Sequence, residues 1–193
     1  MSKIEVDIVR SIEELTAVFA IRRKCFIEEQ NISENMEFDG SDFAATHLVG
    51  KIDGTPVATM RLRYFADHVR FERMCKLPSC KEYEKKENVS IVQEMLKYAG
   101  NYLGQKGFSQ ALCLCEEKLL KHWLFHGHKL LENKKPIVIG NKTFYAITYE
   151  FPRNPNPITL NSDLRLQVAP EGHWPQIPDQ MRILLQQKKS RSS

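Results

Sequence analysis

The chain has 193 residues, of which 42% are hydrophobic and 27% are charged. These values are ordinary for one globular domain and exclude collagen-like or largely disordered sequence. No apolar run approaches the roughly 20 residues that a membrane-spanning helix needs, so no membrane association is expected.

The net charge of +4 arises at the end of the chain. No acidic residue follows Asp179, whereas four basic ones do: Arg182, Lys188, Lys189 and Arg191. Residues 1–179 are therefore neutral overall. A nucleic-acid-binding surface needs a concentrated basic face, so nucleic acid is not an expected partner.

The five cysteines are an odd number, and no export segment precedes them. This combination indicates a reducing, cytoplasmic location. Cys113 and Cys115 would share one face of a strand, and no histidine pair at metal-ligand spacing accompanies them. They are interpreted as structural thiols, and no metal is expected.

The first half of the chain predicts one strand, one helix and an antiparallel meander. Residues 4–8 alternate apolar and acidic, which is typical of a half-buried strand. Ser11 and Glu14 form a capping-box pattern that begins a helix extending to about Glu29. Asp53 and Gly54 favour a tight turn between strands at residues 47–49 and 56–65, and a third antiparallel segment follows at 68–77.

The second half predicts two helices, a central strand and a hairpin. Apolar residues at helical spacing mark a helix from Val92 to about Leu103, and the continuous apolar run at 111–115 predicts a strand buried on both faces. A short helix then ends at Gly127, and a hairpin turns around Gly140. The order is β-α-β-β-β-α-β-α-β-β.

The end of the chain differs from the rest. Residues 152–180 are rich in proline, which should break regular elements, and they are predicted to pack on or over the domain as extended coil. Residues 181–193 are predicted to be a disordered basic tail.

Several motifs resemble the GNAT superfamily of N-acyltransferases, in particular its small bacterial acetyltransferases. Residues 20–30, 36–39 and 57–63 are similar to the family's "IR..VF..EQ", "E.D" and "G..RL" series. Residues 71–74 are similar to "ER.AV" on the family's fourth strand, and 123–127 fall where the family has "FYEKLGF". The resemblance covers roughly residues 4–150.

This resemblance implies an α/β GNAT fold over residues 1–151, with a mixed central sheet, splayed fourth and fifth strands and flanking helices. It implies an acyl-CoA co-substrate whose thioester arm lies in the splay, against backbone groups of Met74, Cys75 and Lys76. The acceptor would be an amine of a small molecule or a protein, and a homodimer is compatible with the family.

The loop that should hold the CoA pyrophosphate departs from the family. Backbone N–H groups must crowd the phosphates there, which requires glycine, but residues 81–90 contain none. Five residues are candidates for this contact: Lys85, Lys86, Asn88, Val89 and Ser90. The alternative is a solvated loop of mixed charge in which Asn88 caps the next helix.

The chemistry of acyl transfer suggests further residues. Glu72 lies beside the expected thioester and is the candidate general base, with an ion pair to Arg73 or Arg61 as the alternative. Trp123 stands where the family has its acidic tyrosine, and an indole N–H cannot protonate a thiolate. His122 and His126 flank it, either as acid–base groups or as surface histidines.

The resemblance places the substrate wall on the first helix and the loop after it. The residues expected there are Arg22, Phe26, Glu29, Asp39 and Asp42. Trp123 is also expected to contact the substrate. Acidic residues on this wall would favour a cationic amine. The alternative is that Arg22 pairs with Asp39 or Asp42 and fixes the loop.

The functional hypothesis is therefore an acyl-CoA-dependent N-acyltransferase. Arg22, Phe26 and the two aspartates also look like acyl-homoserine-lactone synthases, which suggests acyl carrier protein as an alternative donor. The missing glycines and tyrosine are compatible with a third reading, a non-catalytic GNAT-fold binding module.

Overall fold

The computed structural model describes residues 3–175, and the predicted tail at 181–193 lies outside them. Within these residues, eight strands form one mixed sheet. They are β1 Ile4–Ile8, β2 Thr46–Ile52, β3 Thr55–Tyr64, β4 Val69–Lys76, β5 Gln110–Glu116, β6 Lys129–Leu130, β7 Ile137–Ile139 and β8 Lys142–Glu150. The order across the sheet is β1-β2-β3-β4-β5-β8-β6, with β7 also paired to β8.

Six α-helices lie in the described part of the chain. They are α1 Ile12–Arg22, α2 Glu34–Glu37, α3 Cys80–Glu87, α4 Ile91–Gln105, α5 Leu120–Phe125 and α6 Leu164–Val168. A π-helical segment, Arg23–Glu28, continues α1, and short 3₁₀ turns lie at Gly40–Ala44 and Glu117–Leu119. The predicted α/β class with a mixed sheet and flanking helices is confirmed.

The two long helices cover opposite faces of the sheet. Gly50 on β2 lies against Ile91 of α4, and its strand partner Ala58 lies on the same face. Arg61, three residues after Ala58, belongs to the other face of β3, where α1 packs. Both faces are buried, because Met60 and Leu62 are as inaccessible to solvent as Arg61.

Local sequence signals fix the start of α1 and the first hairpin. Ser11 Oγ accepts a hydrogen bond from the Glu14 N–H at 3.1 Å, as a capping box requires. Glu14 itself accepts from the N–H of Arg10 rather than from that of Ser11. Asp53 and Gly54 adopt φ angles of 50° and 79°, the left-handed conformations that a tight hairpin turn needs.

Four elements differ from the sequence prediction, and one of them is the short helix α2, which was not predicted. The predicted loop at 81–90 is mostly helix α3, since its lysines and glutamates are good helix formers and neither glycine nor proline interrupts them. The short strand β6 was not predicted. Helix α6 lies in the segment where prolines were expected to break regular elements, and Asp163 caps it by accepting from the N–H of Arg165.

The chain divides after Pro157 into two compact units. The first six residues of the predicted proline-rich extension thus belong to the first unit, which contains the sheet. The described part of the second unit includes α6, and Gln167 donates a hydrogen bond to the carbonyl of Thr159 within it. The predicted packing of this extension over the domain stays a prediction.

Candidate functional site

Strands β4 and β5 are parallel and diverge after a short contact. Their pairing covers only Val69–Phe71 on β4 and Ala111–Cys113 on β5. Beyond it β5 continues with β8 alone, while β4 follows β3 as far as Lys76. The splay expected between the fourth and fifth strands is therefore present, and the β5-facing edge of β4 is unpaired from Glu72 onward.

A bulge in β4 accompanies the splay. Two residues, Arg73 and Met74, stand opposite the single residue Met60 of β3, and Arg73 has a φ of 51°. A left-handed backbone conformation at arginine costs on the order of 1 kcal/mol, and it persists only where surrounding contacts maintain it. The side chain is anchored to the loop after α1, where Arg73 Nε lies 2.9 Å from Glu37 Oε2.

A cavity of about 330 Å³ lies beside the diverging end of β4. Three elements line it: the last residues of β4, the start of α4 and one side of α5. The lining residues are Met74, Cys75, Lys76, Ser90, Val92, Gln93, Leu96, His122, Trp123 and His126. This volume is at the lower end of the range of about 300–1,000 Å³ that small-molecule sites occupy. We refer to it as the β4–α4 cavity.

The structure brings together some of the residues predicted to bind the donor and leaves others apart. Met74, Cys75, Lys76 and Ser90 line the β4–α4 cavity, together with Trp123, which was predicted to contact the substrate. The other four predicted donor-binding residues are not among its lining: Lys85, Lys86, Asn88 and Val89.

Asn88 does not cap α4, as one reading of the sequence supposed. It ends α3 in the left-handed conformation, with a φ of 52°. The cap of α4 is Ser90, whose hydroxyl accepts from the N–H of Gln93 at 3.4 Å. The two helices are thus joined by a tight turn that no glycine was needed to form.

Glu84 of α3 lies at the N-terminus of α4. Its Oε1 accepts a hydrogen bond from the backbone N–H of Ile91 at 3.0 Å, and its Oε2 pairs with Lys76 Nζ. The Glu84 side chain is only 13% exposed. The sequence alone does not reveal this residue, because its partners belong to two other elements and no local pattern marks such a contact.

Two histidines on α5 face the cavity. The rings of His122 and His126 are 4.4 Å apart, and Gln93 Nε2 of α4 lies 3.0 Å from His126 Nδ1. Partial burial lowers the pKa of His122, and the neighbouring His126 and Lys76 lower it further. His122 is therefore mainly neutral near pH 7 and able to accept a proton.

Glu72, the predicted base, lies in a buried ion-pair network. Its Oε2 accepts from Arg61 Nε at 3.0 Å and from Arg61 Nη2 at 2.6 Å, and its Oε1 lies 3.0 Å from Arg70 Nε. Glu72 is 9% exposed and is not among the residues lining the β4–α4 cavity. The structure thus contains the ion pair with Arg61 that was the alternative, and the general-base role of Glu72 stays a prediction.

Arg22 is fully buried and fixes the loop after α1. Its Nε donates to Glu37 Oε1 at 2.7 Å, and its Nη1 donates to Asp42 Oδ1 at 2.6 Å. Its guanidinium also lies over the rings of Phe19 and Phe38. Because each of its three guanidinium nitrogens has a partner, Arg22 forms here the structural pair that was the alternative interpretation of the sequence.

The two aspartates of the predicted substrate wall, Asp39 and Asp42, are also paired. Asp39 Oδ1 accepts from Arg61 Nη1 at 2.8 Å, and this bond together with the nearby arginine charge lowers the pKa of Asp39 to about 2. Burial raises the pKa of Glu37 despite its arginine partners. The attraction for a cationic amine expected from acids on this wall is therefore offset at Asp39 and Asp42 by Arg22 and Arg61.

A second cavity, of about 490 Å³, lies between α1 and the loop after it. Its walls are mostly apolar and include Phe19, Phe38 and Phe43, with Asp39 at one side. Phe26 is half-buried and Glu29 exposed, and neither is among the residues lining the two cavities. Of the predicted substrate residues, the structure thus places Asp39 and Asp42 in this cavity, and Trp123 in the other.

The described residues contain neither a candidate metal centre nor a candidate membrane span. Residues 3–175 contain no cluster of three or more His, Cys, Asp or Glu side chains suited to a metal ion. No helix among them has the length and apolar character needed to cross a bilayer.

Comparison with known proteins bears on the fold. No protein-family model matches the chain. Over 133 residues the chain is 25% identical to YjcF, an uncharacterized N-acetyltransferase of Bacillus subtilis. The aligned region covers 69% of this chain and 91% of YjcF. A crystal structure of a candidate N-acetyltransferase from Lactobacillus plantarum superposes with a TM-score of 0.66 at 22% identity, over 77% of this chain and 98% of that one.

A third comparison involves a different reaction. The CoA-dependent acyl-homoserine lactone synthase BjaI superposes with a TM-score of 0.64 at 14% identity, over 78% of this chain and 85% of that one. The three comparisons and the splayed sheet define an α/β protein with the fold of acyl-group transferases. This fold is that of the GNAT superfamily, so the resemblance drawn from the sequence is confirmed.

Proposed function

We propose that this protein is an N-acyltransferase that moves an acyl group from the thioester of an acyl-CoA to an amine. The observation that carries the proposal is the divergence of β4 from β5 beside the β4–α4 cavity. An extended thioester arm could lie along the unpaired edge of β4 and bond to it as an added strand would. In support, the same fold holds isopentyl-CoA in BjaI.

The thioester carbonyl would lie next to the β4 bulge. Met74 belongs to the bulge, Cys75 and Lys76 follow it, and their edge does not pair with β5. A backbone N–H near Met74 is the proposed donor to the carbonyl oxygen, on which negative charge develops during attack by the amine. Holding Arg73 against Glu37 keeps the bulge, and hence this donor, in place.

Proton transfer is assigned in this proposal to His122. The amine nitrogen bonds to the carbonyl carbon, the carbon–sulfur bond breaks, and one proton passes from nitrogen to the imidazole and then to the departing sulfur. His122 lines the cavity and is held as the neutral base by its surroundings. Glu72 is the alternative base, although Arg61 donates to its Oε2 and Arg63 to its Oε1.

The test is turnover of acetyl-CoA with a panel of primary amines, measured as the release of free thiol. Binding of CoA should also raise the melting temperature, because a ligand that binds only the folded state stabilises it. Binding of CoA without thiol release from any amine would favour the non-catalytic binding module. Absence of both binding and turnover would reject the proposal.

The second cavity suggests which kind of amine is the acceptor. Since Asp39 and Asp42 are bonded to arginines, we propose that the amine is recognised by the apolar second cavity more than by carboxylate charge. Phe19, Phe38 and Phe43 would contact an apolar substituent of the amine. An aryl or alkyl amine should then react faster than a polyamine of equal length.

A further inference from the structure

The N-terminus of α4 is occupied by a side chain of the protein itself. In this fold the backbone N–H groups at the start of that helix are positioned to receive an anion. Here Glu84 supplies one, since its Oε1 accepts from the Ile91 N–H at 3.0 Å, and the Ser90 hydroxyl accepts from the Gln93 N–H. Two N–H groups of the first turn of α4, those of Ile91 and Gln93, thus already have partners within the chain.

Glu84 is held in this position from several sides. Its second oxygen pairs with Lys76, so the lysine nearest the cavity is also neutralised. Helix α3 is anchored at its first residue, Cys80, which is completely buried and donates to the carbonyl of Val57. At its other end the N–H of Val89 bonds to the Glu84 carbonyl. A pyrophosphate at the start of α4 would have to displace a fixed carboxylate of its own charge sign.

The β4–α4 cavity, beside the helix start that Glu84 occupies, suits an uncharged ligand. Met74, Val92, Leu96 and Trp123 supply apolar wall, and Gln93 and the α5 histidines supply polar groups. A linear chain with amide groups and a terminal thioester fits such walls and can bond to the unpaired edge of β4. The pantetheine arm has this chemistry, whereas the nucleotide end of CoA carries several negative charges.

We propose that the donor is recognised through its acyl-pantetheine arm alone, and that the nucleotide end of CoA adds no affinity. The inference rests on the proposed function, because it concerns the donor of that reaction. It applies equally to an acyl-CoA bound by its arm and to an acyl group on the phosphopantetheine arm of a carrier protein.

Binding measurements separate this inference from the proposed function. We expect CoA and pantetheine to bind with dissociation constants within about threefold of each other, and adenosine 3′,5′-bisphosphate to give no thermal stabilisation. CoA binding a hundredfold more tightly than pantetheine would overturn the inference and leave the proposed function standing. Failure of both CoA and pantetheine to bind would overturn both.

Substitution of Glu84 tests whether its negative charge is what prevents the nucleotide end of CoA from adding affinity. Glu84→Gln keeps an oxygen that can accept from Ile91 but removes the negative charge, so we expect CoA to bind about tenfold more tightly and pantetheine unchanged. Glu82→Gln is the matched control, since it removes the same charge from an exposed position on α3, and it should change neither affinity. Equal affinities of wild type and Glu84→Gln for CoA would contradict the role of Glu84.

Turnover with three donors identifies the source of the arm. Acetyl-CoA, S-acetylpantetheine and an acetylated acyl carrier protein are compared by kcat/KM with one amine. Equal values for the first two support recognition of the arm, and a further gain of tenfold or more with the carrier protein would identify it as the donor. A hundredfold preference for acetyl-CoA over S-acetylpantetheine would overturn the inference.

Discussion

Arg61 donates two hydrogen bonds to the same carboxylate oxygen of Glu72, from Nε at 3.0 Å and from Nη2 at 2.6 Å. The remaining nitrogen of that guanidinium, Nη1, donates to Asp39 and to Asp42, at 2.8 Å in both cases. One buried arginine therefore joins β3, β4 and the loop after α1. This network holds the bulge of β4 and the loop after α1 in one arrangement.

Removal of Arg61 should destabilise the fold severely. Arg61→Gln leaves the buried carboxylate of Glu72 without its main counter-charge and removes one of the two arginines bonded to Asp42. Breaking such a buried pair costs about 3–5 kcal/mol. The free energy of unfolding measured in urea should fall by this amount. The control is Lys3→Gln, which removes an exposed ion pair with Glu5 and should cost less than about 1 kcal/mol. Similar losses in the two variants would refute the role given to Arg61.

The network should also make stability depend on pH in the acid range. Bonding to Arg61 lowers the pKa of Asp39 to about 2 from its ordinary value of 3.8. A carboxyl whose pKa is lower in the folded state contributes stability above the ordinary pKa, and this contribution disappears as pH falls through the folded value. The difference in unfolding free energy between wild type and Asp39→Asn should be constant above about pH 4 and shrink between about pH 4 and pH 2. A difference that grows on acidification would contradict this.

The pH profile of activity tests the proposed base. Since the pKa of His122 is lowered, its neutral form is present at neutral pH and is lost as the pH falls, so kcat should decline on the acid side. His122→Asn should lose this acid limb and lower kcat by about a hundredfold or more, with little change in KM for the donor. In His126→Asn the pKa of His122 should rise, which moves the acid limb to higher pH.

Two further variants complete the pH experiment. His68→Asn is the matched control, because His68 lies in the turn before β4 and is not among the residues lining either cavity. Its profile should equal that of wild type. A hundredfold loss in Glu72→Gln with an intact acid limb in His122→Asn would instead identify Glu72 as the base.

Helix α4 packs closely on the chain that follows β8, and a methyl group should not fit there. A Cβ at Gly104 would lie 2.4 Å from the carbonyl oxygen of Pro152, which is backbone and cannot rotate away. Gly104→Ala should therefore lower the unfolding free energy by about 1–3 kcal/mol, although alanine favours a helix intrinsically. Gly40→Ala is the control, since no atom lies within 4 Å of the added Cβ. An unchanged or higher stability of Gly104→Ala would mean that this segment packs differently.

Patterns confined to neighbouring residues were readable from the sequence. The capping residue Ser11, the turn at Asp53 and Gly54 and the helical period of α4 each depend on contacts within a few positions, so they predicted their elements within a few residues. The same logic failed for α3, where the need for a phosphate loop was inferred from resemblance and the helix-forming lysines and glutamates decided otherwise.

By itself, the sequence determined the α/β class, the order of the main elements and the strand that carries Glu72, because these follow from periodicity, turn residues and motifs. Only the tertiary structure decided what the charged residues do. Charges attract in every direction and carry no periodicity, so the partners of Glu72, Arg22 and Glu84 depend on which elements meet in space. The packing of these elements pairs Glu72 with Arg61 and places Glu84 where a phosphate was expected.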